Sequence, residues 1–291
     1  MAQPSAKLTR QLDLERQRQL INRKVIELLH QYPYSSAELK AASIYSVGSA
    51  GHRWRPILFM RIYEKLNTSN AYPDAIPVAC AIEFLHTASL ILDDLPSMDD
   101  GNLRRGKKAC HREFGESRTI LTAHWLCDVA QYYIHDFASI TKTDELENAF
   151  LETKSQMMRG QILDLENENL NQAEIIEKCW LNSGALYSFC GWAPASILNV
   201  PAIGARLRRF GYYLGTAYQI ADDISDMTST TMELGKDVQK DVGNKTLLSV
   251  CGVEKAIEFH HLYKNKALKE LEELSFPAGE IAEIVELVCM F

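Results

Sequence analysis

Glycine and proline are scarce in this chain, 15 and 9 among 291 residues, and there is no low-complexity tract. No repeat of about 20–50 residues is visible, which argues against a solenoid or propeller. Strand signals are almost absent. Basic residues do not predominate: 31 Lys and Arg against 38 Asp and Glu give a net charge of −7. An acidic surface argues against nucleic acid as a partner. The seven cysteines are odd in number, and no two have the C-x-x-C spacing of a zinc or redox motif. Reduced thiols in a cytoplasmic protein are the expectation. Met1 to Gln19 is polar and charged, unlike a secretory signal. Charge is missing from Ser183 to Ala205, about the length of a membrane span. That stretch contains Pro194, Asn199, Pro201 and the glycines Gly184, Gly191 and Gly204. A buried helix followed by a turn explains it better, and no transmembrane segment is expected.

What is present is helical periodicity over a 46% hydrophobic composition, enough for a large core. Leu8, Leu12, Ile21, Val25, Leu28 and Leu29 form an apolar stripe with charges between, broken at Tyr32–Ser36 by Pro33. Asn67–Pro77 reads as a loop. Val78–Asp94, Asp144–Glu166, Arg206–Met227 and Glu254–Glu273 read as helices. Asn171 followed by Glu174 forms a capping-box pattern. Nothing marks a domain boundary, so the expected fold is all-α, a single bundle-like domain over 1–291.

Two acidic clusters carry the chemistry. The first, Asp93-Asp94-Leu95-Pro96-Ser97-Met98-Asp99-Asp100, ends an apolar helix at Pro96, which cannot continue the hydrogen-bond ladder. Carboxylates at the end of a buried helix are costly unless a cation neutralises them. In the second, Gln219, Asp222, Asp223 and Asp226 recur at i, i+3, i+4 and i+7 and so share one helix face. Hard cations such as magnesium are held by a few carboxylates together with substrate phosphates. Two clusters facing one another would clamp a diphosphate through bridging metals. For either cluster alone, a solvated acidic face is an equally good account. The basic run Arg104-Arg105-Gly106-Lys107-Lys108 after the first, and Gly235-Lys236 and Gly243-Asn244-Lys245-Thr246 after the second, favour metal plus phosphate.

With Gly51-His52-Arg53-Trp54-Arg55-Pro56, Ile82-Glu83-Phe84-Leu85-His86, Asp93 through Gly106, Cys110 through Glu116, Gly160 through Leu165, Ala217 through Asp223 and Gly235-Lys236, the sequence resembles the trans-isoprenyl diphosphate synthases. These are the farnesyl and geranylgeranyl diphosphate synthase family. The likeness runs from about residue 40 to 260. It implies an isoprenoid synthase helical bundle, a homodimer, and magnesium, three ions with diphosphate bound. By motif match Asp93, Asp99 and Asp222 would ligate metal, with Asp94, Asp223 and Asp226 close by. Arg104 and Lys236 would hold an allylic prenyl diphosphate with Gln219 beside it. Arg55, His86 and Arg105 would hold isopentenyl diphosphate. Ser89, one turn or about 5.4 Å before Asp93, and Ala88 beside it are small where the growing tail runs. That favours about twenty carbons or more.

The likeness has gaps. His52 stands where the family usually has a lysine for isopentenyl diphosphate. Asn182-Ser183-Gly184 replaces Lys-Thr-Gly at the allylic diphosphate. Trp125 occupies a position that is usually small, as core packing or as an aromatic wall of the tail cavity. The chain stops at Val288-Cys289-Met290-Phe291 without the basic tail common in the family. Two readings therefore stay open. The first is elongation of an allylic diphosphate by isopentenyl diphosphate to a farnesyl or geranylgeranyl length. The second is a terpene synthase, or a prenyltransferase with another acceptor, that keeps ionisation and no longer uses isopentenyl diphosphate. A non-catalytic subunit fits less well, since it would not need the metal ligands.

Overall fold

Proline and capping residues divide the chain into helices at the places their chemistry dictates. The computed structural model describes residues 6–34, 36–49, 51–68, 72–166, 170–228 and 246–291, with only the backbone course given for 6–10 and 228. Helix α1 (Ala6–Gln31) stops just before Pro33. Helix α2 (Ala37–Val47) is capped by Ser36, whose hydroxyl accepts from the Leu39 N–H at 3.2 Å. Helix α3 (Trp54–Leu66) and helix α4 (Ile76–Asp93) flank the Asn- and Pro-rich loop, and α4 opens with a proline in its first turn. A two-stranded hairpin, β1 (Leu103–Arg104) and β2 (Lys107–Lys108), follows the first acidic cluster.

Helices α5 (Cys110–Phe114), α6 (Glu116–Thr141) and α7 (Asp144–Leu165) come next. Helix α8 (Gln172–Cys179) starts in the expected capping box. Asn171 accepts from the Glu174 N–H at 3.2 Å, and Glu174 accepts from the Asn171 N–H at 2.8 Å. A π-turn (Trp180–Gly184) joins α8 to α9 (Ala185–Ile197). Helix α10 (Pro201–Thr228) carries the second cluster; α11 (Leu247–Cys251), α12 (Val253–Glu272) and α13 (Gly279–Val288) complete the order.

The charge-free stretch from Ser183 to Ala205 is split between α9 and α10 at Leu198–Val200, a buried helix followed by a turn. Among the described residues one helix, α4, is long and apolar enough to cross a membrane, and 67% of it is buried inside the fold. It packs on α6 and α3, while α10 packs on α9 and α12. A continuous buried core runs from Ile21 of α1 to Val288 of α13. Helix α6 was not marked by the sequence pattern. Its buried stripe includes Ala123, Leu126, Val129, Ala130, Tyr133, Ile134 and Phe137, but Ile120, Leu121 and Ile140 are exposed and blur the period. The seven cysteines are free thiols.

Candidate active site

The first acidic cluster is a folded loop, not an extension of α4. Asp94 caps the helix, and the chain then turns back on itself. The Asp99 N–H donates to the Asp93 carbonyl at 2.9 Å, and the Gly101 N–H to the Asp94 carbonyl at 3.1 Å. This brings Asp99 against Asp93. Burial, and next the neighbouring Asp99 carboxylate, push the Asp93 carboxyl up to about 8, with Asp94 and Asp164 adding to the repulsion and Arg104 opposing it. Asp94 has a different environment. It is 1% exposed and accepts from Arg104 Nε at 3.1 Å and from Nη2 at 2.6 Å.

The basic run is organised by the hairpin turn. Arg105 and Gly106 both have positive φ, 54° and 75°, as a tight two-residue hairpin turn requires. Glycine accepts this freely and Arg105 does so under strain. The turn sends neighbouring arginines to different partners. Arg104 reaches Asp94, while Arg105 lies against Gly51 and approaches Glu83 Oε1 at 3.7 Å. Glu83, 1% exposed, is also paired with Arg53. Arg53 has a left-handed backbone at φ 56° and donates to the Ser49 carbonyl at 3.1 Å and to Asn22 Oδ1 at 2.8 Å. It thereby fixes the start of α3.

In the first turn of α3, Arg55 lies 4.5 Å over the Tyr187 ring and 5.3 Å from the Tyr218 ring centroid. Its Nη1 is 3.2 Å from His86 Nε2, and its Nε is buried without a hydrogen-bond partner. Burial, then Arg55, Arg105, Arg53 and Arg104, hold His86 well below the usual histidine range. A neutral imidazole among four guanidinium groups is a donor-rich surrounding, in which Arg53 and Arg105 face Glu83 and Arg104 is paired with Asp94.

The second cluster stands on α10 with its glutamine. Ser183 of the π-turn donates to Gln219 Oε1 at 2.6 Å, and Gln219 Nε2 donates to Asp223 Oδ1 at 3.0 Å. The π-turn sits this close because Gly184 and Gly215 pack backbone to backbone; a methyl group at Gly215 would collide with Gly184. π-turns within helices often mark functional sites. Asp223 and Asp226 are 6% and 4% exposed.

Arg104 is the first electrostatic link between the clusters. Burial opposes its charge, yet its hydrogen bond with Asp94 and the fields of Asp94, Asp93 and Asp222 raise its pKa. A second tie is Lys178 of α8, whose Nζ donates to Asp164 Oδ1 of α7 at 2.6 Å and lies in the field of Asp223. Asp164 in turn acts on Asp93. Among the described residues no three carboxylate, histidine or cysteine groups converge as a ready-made metal cage. The donor set nevertheless suits magnesium. All the candidate ligating atoms are carboxylate oxygens, and burial, together with the neighbouring Asp99 carboxylate, disfavours the Asp93 charge in a way that a cation would relieve.

Residues 36–287 match the family described as polyprenyl synthetase. The chain belongs to the polyprenyl synthetase family. It is 34% identical over 266 residues to the farnesyl diphosphate synthase of Bacillus subtilis, covering 86% of this chain and 88% of the relative. It is 32% identical over 273 residues to the chloroplastic geranylgeranyl pyrophosphate synthase 12 of Arabidopsis thaliana, covering 88% and 74%. Among solved structures, a geranyltranstransferase from Thermotoga maritima superposes with a TM-score of 0.79 at 26% identity, covering 95% and 96% of the two chains. An FPP/GFPP synthase from Zymomonas mobilis gives 0.76 at 28%, covering 97% and 98%. The chain is thus a prenyltransferase of the isoprenyl diphosphate synthase type, with the isoprenoid synthase helical fold.

Several residues singled out from the sequence lie outside the described residues or make contacts away from the two clusters. Lys236, with Gly235 and Gly243-Asn244-Lys245, lies outside the described residues. His52 is exposed and stacks on Trp54 with centroids 5.5 Å apart; partial burial of the ring, then Arg18 and Arg105, lower its pKa. Asn182 turns its carboxamide toward α7 at Gly160, and its Oδ1 is buried without a hydrogen-bond partner. Ala88 is 1% exposed, and Ser89 returns its hydroxyl to the His86 carbonyl at 2.9 Å. Trp125 packs edge-on to Tyr32 at 5.4 Å and donates its indole N–H to the Tyr34 carbonyl at 3.0 Å. It also lines a surface groove of about 780 Å³ between α2, α5 and α6, lined by none of the aspartates of either cluster.

Five contributors were not singled out from the sequence. Glu83, Asp164 and Tyr218 lay inside motif segments, and Tyr187 joins Tyr218 as the aromatic seat of Arg55. Lys178 carried only a faint signal, a lone lysine one turn before Asn182.

Proposed function

We propose that this prenyltransferase elongates an allylic prenyl diphosphate with isopentenyl diphosphate to a farnesyl- or geranylgeranyl-length product, in a magnesium-dependent reaction. The observation that supports this reading is a second set of cationic side chains, which would form a second anion site. Arg55, His86 and Arg105 converge on it, apart from the aspartate pair and with an unsatisfied guanidinium donor. An enzyme that only ionised one diphosphate would have no use for a second set of cationic side chains.

Asp93, Asp99 and Asp222, with Asp223 and Asp226 near them, would hold magnesium; three ions with diphosphate bound is the number we propose. Magnesium, when bound, neutralises charge on the departing diphosphate. Arg104, fixed by Asp94, directs its remaining charge at the same group. The allylic carbon–oxygen bond breaks with its electron pair leaving on the diphosphate. The π electrons of isopentenyl diphosphate, held by Arg55, His86 and Arg105, form the new carbon–carbon bond, and a proton is lost from the adduct. Lys236 is proposed as a further contact to the allylic diphosphate, and small Ala88 and Ser89 as the wall of the tail cavity.

We further propose that the chain works as one domain and as a cytoplasmic homodimer. Leu151, Met158, Ile162 and Leu165 are exposed at helical spacing on one face of α7, an apolar stripe that a second copy would cover. The test of the function is product analysis. With magnesium, an allylic diphosphate and isopentenyl diphosphate, the product is a longer prenyl diphosphate, and omission of isopentenyl diphosphate leaves the substrate unchanged. A hydrocarbon or alcohol formed without isopentenyl diphosphate would overturn it in favour of the altered-acceptor reading, which the departures at His52 and Asn182 favour.

A further inference from the structure

Lysine is among the residues least often buried, because its ammonium loses hydration and its stem loses rotamer freedom. Lys178 is 5% exposed at the last turn of α8, immediately before the π-turn. Its Nζ reaches Asp164 Oδ1 at 2.6 Å on α7 and lies in the field of Asp223 on α10. Asp164 also acts on Asp93 at the end of α4. The ammonium therefore sits where α8 meets α7 and α10, in the field of the second aspartate cluster. Four residues along, Asn182 can supply no positive charge, and its carboxamide oxygen faces α7 at Gly160.

A bland role is available: Lys178 could simply neutralise Asp164. That role does not account for its position. A carboxylate–lysine pair at α7 and α8 alone would be satisfied at any depth, whereas this ammonium is shared with the acidic face of α10. Burial works against its charge, but Asp164 and Asp223 raise its pKa above the ordinary lysine value. Once divalent ions neutralise the acidic face of α10, the ammonium's remaining donors face the bound anion in place of Asp223.

We propose that Lys178 is a diphosphate-contact residue of this enzyme, its ammonium held by Asp164 so that it also donates to the diphosphate seated between the two aspartate clusters. The inference rests on the functional reading above, in which those clusters bind a metal diphosphate. A lysine is a compact point charge with rotatable donors, suited to holding one carboxylate and one phosphate oxygen at once.

Calorimetric titration of inorganic pyrophosphate in excess magnesium tests it with four proteins: wild type, K178Q, D164N and K178Q/D164N. A charge-assisted contact of this kind is worth about ten- to a hundredfold in affinity. The expected result is that K178Q weakens pyrophosphate binding about tenfold or more, and by a smaller but measurable factor in D164N, where the ammonium has lost the carboxylate that holds it. If K178Q costs nothing in the D164N background, Lys178 serves only to neutralise Asp164 and the proposal is overturned. A lowered melting temperature for K178Q with unchanged pyrophosphate affinity overturns it equally. If wild type itself binds no magnesium pyrophosphate, the functional reading fails first and this inference with it. K178R, which keeps the charge, serves as the folding control: it is expected to retain more affinity than K178Q.

Discussion

Replacing Asp94 by Asn separates two roles that a paired-aspartate motif leaves confounded. By motif likeness Asp94 stands near the metal. In the structure its carboxylate is committed to Arg104, with Nε at 3.1 Å and Nη2 at 2.6 Å, and its side chain is 2% exposed against 25% for the arginine. Removing one partner of a buried ion pair costs roughly 3–5 kcal/mol. Water can reach Arg104 and lowers that to about 2–3 kcal/mol. At about 2–4 °C per kcal/mol for larger domains, the metal-free D94N protein should melt on the order of 5–10 °C below wild type. R104Q should cost a similar amount, and the double variant should cost clearly less than the sum. Catalysis should fall too, because an Arg104 released from Asp94 no longer aims at Asp93 and Asp222. Thermal melts in chelator, followed by magnesium titrations, provide the assay. If D94N melts with wild type in chelator and loses only magnesium affinity, Asp94 is a metal ligand and the positioning role argued here is wrong.

Other expectations follow from the same geometry. With its carboxyl raised to about 8, Asp93 is largely protonated in the metal-free protein at pH 7, and a ligand must be deprotonated to bind metal. Magnesium binding should therefore release a proton near pH 7, read as a buffer-dependent calorimetric enthalpy that D93N abolishes. The sign for stability is the reverse of a salt-bridged aspartate. The folded state holds a proton the unfolded state has lost, so metal-free stability should fall as pH rises from about 4 to about 8. Arg55→Gln should raise KM for isopentenyl diphosphate about ten- to a hundredfold and leave KM for the allylic substrate within a few-fold; equal effects on both would merge the two anion sites into one. Ser89→Phe should shorten the product, whereas Trp125→Phe, which loses a hydrogen bond to the Tyr34 carbonyl, should lower stability by about 1 kcal/mol with product length unchanged.

Much of this architecture was legible in the sequence because it obeys local rules. Pro33 ends α1, Asn171 and Glu174 open α8, and the i, i+3, i+4, i+7 spacing of Gln219, Asp222, Asp223 and Asp226 places them on one face of α10. What could not be read was geometry created by the fold. The Arg104-Arg105-Gly106 run looks like plain positive charge until the tight hairpin turn parts its two arginines, one toward Asp94 and one toward Glu83. Nothing in the sequence sets Arg53 apart from Arg55, yet its partners are Glu83, Asn22 and the Ser49 carbonyl. Lys178 gains its meaning only when α7 and α10 bring Asp164 and Asp223 to it, from 14 residues before it in the first case. Helix α6 escaped notice because its exposed Ile120, Leu121 and Ile140 mix with the buried stripe.

The central claim is that Asp93 and Asp222 belong to a single metal–diphosphate site. Anomalous diffraction from crystals soaked in manganese and an unreactive thiolo-diphosphate analogue of the allylic substrate tests it most directly. The account predicts manganese peaks against the carboxylates of both clusters with one diphosphate between them. Metal confined to one cluster, with the diphosphate elsewhere, would contradict it.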